Sequence, residues 1–159
     1  MITLRPYDRT DAESVTRWIK DSSALFLWAA DRFREHPLSA DTFDGIYTDK
    51  SLNGFIAEDD GLVMGHLFMQ PHPDGRLKFG LIIVDPDVRG KGYGKKMLLS
   101  ALEYAKKRYS PRSVFLCAFD TNQAAYNCYK SLGFAETGVV INHTFEGKTH
   151  FYREMEYAL

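Results

Sequence analysis

An apolar run that stops at a proline and then crosses three alternate glycines constrains this chain more than any other stretch. Gly80-Leu81-Ile82-Ile83-Val84-Asp85-Pro86 leads into Arg89-Gly90-Lys91-Gly92-Tyr93-Gly94, and Met97, Leu98, Ala101, Leu102 and Ala105 follow at helical spacing. From Leu77 to Arg108 the pattern reads as strand, anion-cradling loop and helix. Lys106, Lys107 and Arg108 suit the negative end of that helix.

Such a loop gathers backbone N–H groups at the positive end of a helix, where the first-turn donors lack intrahelical partners. Glycines allow close approach and unusual φ angles, while Arg89, Lys91, Lys95 and Lys96 add positive charge. A phosphate or pyrophosphate fits there, although a plain helix cap has a similar composition. The spacing excludes the two commonest phosphate loops. The dinucleotide fingerprint needs its third glycine one residue later, and the Walker loop needs Lys-Ser/Thr where Lys95 and Lys96 stand.

The loop does resemble the Arg/Gln-x-x-Gly-x-Gly/Ala signature of the GNAT family of N-acetyltransferases, with Arg89, Gly92 and Gly94 in its three specified positions. A second stretch supports the resemblance. Beyond the apolar segment Ser113 to Phe119, the residues Asn122, Ala125, Tyr129, Gly133 and Phe134 match the pattern Asn-x-x-Ala-x-x-x-Tyr-x-x-x-Gly-Phe of the same family. The two motifs stand in the family's order. They imply an acetyl-CoA-dependent enzyme with an α/β (α+β) fold, a mixed and mostly antiparallel sheet flanked by helices, covering residues 1–159 as one domain.

Composition narrows the alternatives. A length of 159 residues fits one core-forming domain. Cys117 and Cys128 fall inside regular elements and read as buried thiols, and five scattered histidines show no ligand spacing, so no metal is expected. A formal charge of −1 with 26% charged residues argues against nucleic acid as a partner. With no leader pattern and no apolar run of transmembrane length, no membrane partner is expected and the cytoplasm is the expected compartment.

Read in order, Ile2 to Pro6 alternates as a strand, and Thr10 with Glu13 has capping-box spacing before the stripe Ala12, Val15, Trp18 and Ile19. A second helix carries Leu25 to Trp28, and Ser39 caps a third with Phe43, Ile46 and Tyr47. Phe26, Trp28, Phe33 and Phe43 either cover the sheet or, as the resemblance implies for this segment, wall an acceptor pocket. Phe55 to Glu58 and Leu62 to Gln70 form a hairpin at Asp59-Asp60-Gly61, with a bulge at Gly65. Leu77, Phe79, Leu81 and Ile83 alternate on the next strand. Val139 to Phe145 and Lys148 to Tyr157 close the chain around Glu146-Gly147.

The resemblance also distributes roles. Backbone donors from Arg89 through Gly94 (Gly90, Lys91, Gly92 and Tyr93 among them), with Lys95, would hold the pyrophosphate of acetyl-CoA. The backbone near Ile82 and Val84 would pair with the pantetheine arm as an added strand and polarise the thioester. Asn122 is a cofactor contact, a helix cap, or both. Tyr129 would protonate the departing thiolate, Tyr126 being the competing donor and a buried aromatic the structural alternative. The base is unassigned: Lys78 to Val84 holds no carboxylate, leaving His66, His72, Asp120 or a water.

The acceptor expected is a primary amine of a small molecule or a protein N-terminus. The aromatic N-terminal segment and the final hairpin offer contact surfaces for a homodimer. A non-catalytic acyl-CoA-binding regulatory module and a nucleotide-binding module are the competing classes.

Overall fold

In the computed structural model, which describes Met1–Leu159, seven strands form one sheet in the order β1-β2-β3-β4-β5-β7-β6. In chain order the elements are β1 (Ile2–Pro6), α1 (Ala12–Arg17), α2 (Ser22–Ala29), α3 (Ala40–Asp44), β2 (Asn53–Asp59), β3 (Leu62–Pro71) and β4 (Leu77–Val84). Then follow α4 (Tyr93–Arg108), β5 (Ser113–Phe119), α5 (Gln123–Leu132), β6 (Ala135–Phe145) and β7 (Lys148–Ala158). Every neighbouring pair is antiparallel except β4 with β5. The mixed, mostly antiparallel sheet with helices on both faces is the architecture expected from the sequence.

Local chemistry explains the elements. The β2–β3 turn carries Asp60 at φ 50° and Gly61 at φ 81°, the left-handed pair that a two-residue hairpin requires. The apolar stripe of α4 is buried as its spacing predicts, and its last turn carries Lys106, Lys107 and Arg108. Ser39 caps α3 through the Thr42 N–H. The first cap is elsewhere than expected: Asp8 and Asp11 form the box, not Thr10 and Glu13. Arg5 decides this, because its guanidinium donates to both Asp11 oxygens at 2.8 and 2.9 Å and fixes that carboxylate at the helix entry.

The sheet separates two large apolar clusters. One packs α4 and α5 against Leu77, Phe79, Val114, Leu116 and Met155. The other packs α1, α2 and α3 against Ile56, Phe68, Leu81 and Ile83. Leu77 and Phe79 therefore lie on one face, and Leu81 and Ile83 on the other. The simple alternation read from sequence fails at Leu81, where β4 sets two residues against one of β3 between the pairs Phe68–Gly80 and His66–Ile83. Leu81 adopts φ 46°, left-handed for a leucine, and the bulge turns Ile82 and Val84 towards α4. A second bulge sits beside Gly65, as expected, with Met64 the extra residue.

Candidate active site

β4 and β5 pair only at Leu77–Val114 and Lys78–Phe115. Beyond those pairs the strands splay. From Phe79 to Val84 the edge of β4 that faces β5 has no strand partner, and the space between is a cavity of about 810 Å³. It runs from the N-terminus of α4, past the open edge of β4 and the inner face of α5, to the connection between α1 and α2.

At one end lie the three glycines. Gly90 and Gly92 adopt φ 78° and 81°, and a Cβ on either would meet nothing within 4 Å, so the backbone faces open space. Gly92 is also the N-cap of α4, which leaves the first-turn N–H groups of a sixteen-residue helix directed outward. Arg89 folds back through its Nε–H onto the Val84 carbonyl at 3.3 Å. Arg89, Gly90, Gly92, Tyr93, Gly94 and Lys95 all line the cavity, whereas Lys91 is exposed and stands outside it. A cradle with two positive-φ glycines, free helix donors and the cations Arg89 and Lys95 suits a pyrophosphate, and the open backbone of β4, with Ile82 and Val84 in the wall, suits an amide-bearing chain. Both features fit coenzyme A.

The middle of the cavity holds a tyrosine. Tyr129 is 6% exposed and lines the cavity, and burial pushes its phenol well above the ordinary range, so it is protonated at neutral pH. Tyr126 is turned away, donating to Glu136 at 2.7 Å on the outer surface. Asn122 does two things: its side-chain oxygen accepts the Ala125 N–H at 3.4 Å as the cap of α5, and the residue lines the cavity. Burial raises the Cys117 thiol to about 11, and Tyr152 is pushed up by burial as well. Both line the cavity across from α5, and no spacing in the sequence marked either as a site residue.

At the far end Trp18, Ile19, Ala24, Leu27 and Trp28 make an apolar wall, with Lys20 and Asp21 beside it. Of the four aromatics noted in this segment only Trp28 reaches the cavity. Phe33 and Phe43 are core, and Phe26 stacks on Phe119 and Phe145 beneath the β6–β7 hairpin, each at 4.6 Å. The histidine and aspartate candidates for a base are elsewhere. His66 is fully buried on the α1–α3 face, His72 pairs with Asp74 at 2.9 Å in the β3–β4 turn, and Asp120 pairs with Arg153 at 3.5 Å. None of the three lines the cavity.

Comparison with known proteins agrees with this geometry. Spermidine N(1)-acetyltransferase of Escherichia coli (strain K12) is 26% identical over 146 residues, covering 91% of this chain and 78% of that protein. A mycothiol acetyltransferase of Thermomonospora curvata is 34% identical over 85 residues, 54% of this chain and 28% of that one. Among solved structures, spermidine N-acetyltransferase from Vibrio cholerae in complex with CoA and spermine superposes with a TM-score of 0.83 at 22% identity, covering 99% of this chain and 95% of the other. Residues 13–134, which contain the glycine loop, the splayed strands and both signature motifs, match the acetyltransferase (GNAT) family, and the chain belongs to it.

Proposed function

We propose that this chain, working as one domain over residues 1–159, moves the acetyl group of acetyl-CoA to a primary amine in the cytoplasm. The observation that carries the reading is the continuity of one cavity. It joins an anion cradle, an unpartnered strand edge, a protonated tyrosine and an apolar wall in the order that thioester aminolysis needs them. The loop from Arg89 to Lys95 holds the pyrophosphate and the β4 backbone near Ile82 and Val84 pairs with the pantetheine amides. The same strand end offers an N–H to the thioester carbonyl. Asn122 contributes a cofactor contact as well as its cap.

In the transfer the amine nitrogen forms the C–N bond to the acetyl carbon while the C–S bond breaks. Tyr129 protonates the departing sulfur, and the proton lost by the amine leaves to solvent, which restores the phenol. The products are an amide and the free thiol. Related proteins are named for spermidine or mycothiol, which supports an amine acceptor and leaves its body to the shape of the apolar wall. No helix is long and apolar enough to cross a membrane. A homodimer formed through the final hairpin is part of the same reading, since Val139, Val140, Ile141 and Phe151 are exposed there.

Calorimetric titration with acetyl-CoA, run beside Gly92→Glu and followed by an amine panel, tests the reading. Binding that the variant loses, with acetyl transfer to an amine, is expected. Tight binding without transfer to any amine would make the chain an acyl-CoA-binding regulatory module instead.

A further inference from the structure

A fully buried histidine stands behind the open edge of β4, and the transfer reaction gives it no task. His66 of β3 donates its Nδ1–H to the Leu81 carbonyl at 2.9 Å, and its Nε2 accepts from the Tyr47 hydroxyl at 2.6 Å. A carbonyl can only accept, which puts the proton on Nδ1 and leaves Nε2 to the tyrosine. The rings of Phe43 and Tyr7 stand nearly perpendicular to the imidazole at 5.1 and 5.9 Å. Tyr47 crosses the backbone at Gly54, where any side chain would collide with its hydroxyl. The imidazole is therefore bonded at both nitrogens and packed among aromatic rings.

What it grips is the residue at which β4 changes phase. Leu81 adopts φ 46° inside the bulge, a conformation that a leucine keeps only where its surroundings enforce it. A bulge leaves its extra residue out of the ladder, so the ladder itself does not fix this peptide. His66 does, and the effect reaches the far side of the strand. A peptide unit is planar and trans, so the Ile82 N–H points opposite to the Leu81 C=O. With that carbonyl held by β3, the N–H is turned to the edge facing β5, which has no strand partner beyond Lys78.

The ladder beyond the bulge gives the same direction. Asp85 donates to the Met64 carbonyl at 2.8 Å, so Asp85 and Ile83 direct their polar groups to β3, and Ile82 and Val84 direct theirs to the open edge. The Val84 carbonyl there accepts from Arg89, and Ile82 lines the same cavity as Tyr129.

On the N-acetyltransferase reading, on which this inference rests, the thioester carbonyl electrons move onto oxygen as the C–N bond forms and return as the C–S bond breaks. A donor fixed in direction beforehand stabilises that oxygen without reorganising. We propose that His66 is a positioning residue for acyl transfer: its bond to the Leu81 carbonyl sets the rotation of the Leu81–Ile82 peptide and so aims the Ile82 N–H at the thioester oxygen. The same bond polarises the peptide and strengthens its N–H as a donor. Tyr47 satisfies the other ring nitrogen and contributes stability alone, because the Leu81 carbonyl already dictates the tautomer.

Three variants separate aiming from packing. His66→Asn sets an amide N–H near the place of Nδ1, within reach of Leu81. His66→Gln sets its amide near the place of Nε2, within reach of Tyr47, and loses the grip on Leu81. Tyr47→Phe removes only the bond to Nε2. Each is read by the infrared carbonyl stretch of bound acetyl-CoA carrying ¹³C at the acetyl carbonyl, which needs no acceptor, and by kcat with the best amine of a panel. In His66→Gln the stretch is expected to rise above the wild-type value and kcat to fall at least about tenfold, part of the 10²–10³-fold that loss of a whole oxyanion donor costs. KM for acetyl-CoA stays within about twofold, since the interaction lost belongs to the transition state. His66→Asn restores most of both readouts. Tyr47→Phe melts at a lower temperature and keeps the wild-type stretch and kcat. Should His66→Gln fail to fold, His66→Leu replaces it with the same expectation.

A wild-type stretch and kcat in His66→Gln overturn the proposal. So does an equal loss in Tyr47→Phe, which would make His66 a packing residue only. In both cases the N-acetyltransferase reading stands on transfer by the wild type. Acetyl-CoA binding to the wild type without transfer to any amine overturns the enzymatic reading and this proposal with it.

Discussion

His66 donates its Nδ1–H to the carbonyl oxygen of Leu81 across 2.9 Å, so a side chain of β3 holds the residue at which β4 changes phase. The other ring nitrogen accepts from the Tyr47 hydroxyl at 2.6 Å, and the Tyr47 ring stacks on Tyr7 at 4.5 Å. Both nitrogens are used only in the neutral ring. Burial accordingly pushes the His66 pKa down to about 4.

A pH dependence of stability follows. The unfolded chain binds a proton at His66 below about pH 6.5 and the folded chain does not until about pH 4, so the stabilisation is complete above 6.5 and drains away as the pH falls between those values. The loss is of order 3 kcal/mol over the window. Chemical denaturation at several pH values should show this slope, and His66→Gln should flatten it. A wild-type stability that is level from pH 6.5 to 4.5 would contradict the assignment.

Tyr129→Phe removes the phenol hydroxyl from the cavity, the proton donor of the proposed mechanism, and keeps the packing of its ring, which lies 6.1 Å from that of Phe134. Turnover should fall by about 10²-fold or more, the usual scale for a general acid, with little change in affinity for acetyl-CoA. Tyr126→Phe, which loses only the surface bond to Glu136, serves as the control and should be near wild type. Equal turnover in all three proteins would remove Tyr129 from the mechanism.

Two substitutions of Gly92 separate strain from electrostatics. Gly92→Ala forces a side chain into φ 81° but meets open space, so the expected cost is about 1 kcal/mol of stability, with cofactor binding weakened modestly. Gly92→Glu adds a negative charge and bulk at the mouth of the anion cradle. Calorimetry should detect no acetyl-CoA binding to it, and salt should weaken binding to the wild type by screening Arg89 and Lys95.

Gly65 is a packing requirement of a different kind. A Cβ there would lie 2.6 Å from Met97 Sδ and 2.9 Å from the Ile83 carbonyl oxygen. Met97 can swing aside and the Ile83 backbone cannot, so Gly65→Ala should displace the end of β4. We expect 1–3 kcal/mol of destabilisation, on the scale of overpacked cores, and a rise in KM for acetyl-CoA from the shifted strand edge. A thermal melt and steady-state kinetics of one variant check both.

Much of this was legible in the chain. The strand–loop–helix unit, the two hairpin turns and the stripe of α4 are local patterns in which propensity, turn chemistry and packing agree. The phase of β4 was not legible, because the bulge at Leu81 depends on His66 from another strand, and Leu77 to Ile83 alternates in burial whichever face each residue takes. Tyr126 and Tyr129 sit three residues apart on one helix, near enough in azimuth that only the placement of Glu136 and the cavity distinguishes them. The cap at Asp8 was hidden for a similar reason: Arg5 on β1 orients Asp11, and no window of the helix sequence contains that partner.

The two-residue register between β4 and β5 has a mechanical meaning. Strands β1 to β4 form one plate and β5 to β7 another, and the ladder itself stitches them only at Leu77–Val114 and Lys78–Phe115. A chain of amides laid along the open edge of β4, as proposed for the donor substrate, would extend the seam and act as a splint. The plates should hinge about that short seam, and slow amide exchange in β4 and β5 should report how firmly the splint is set.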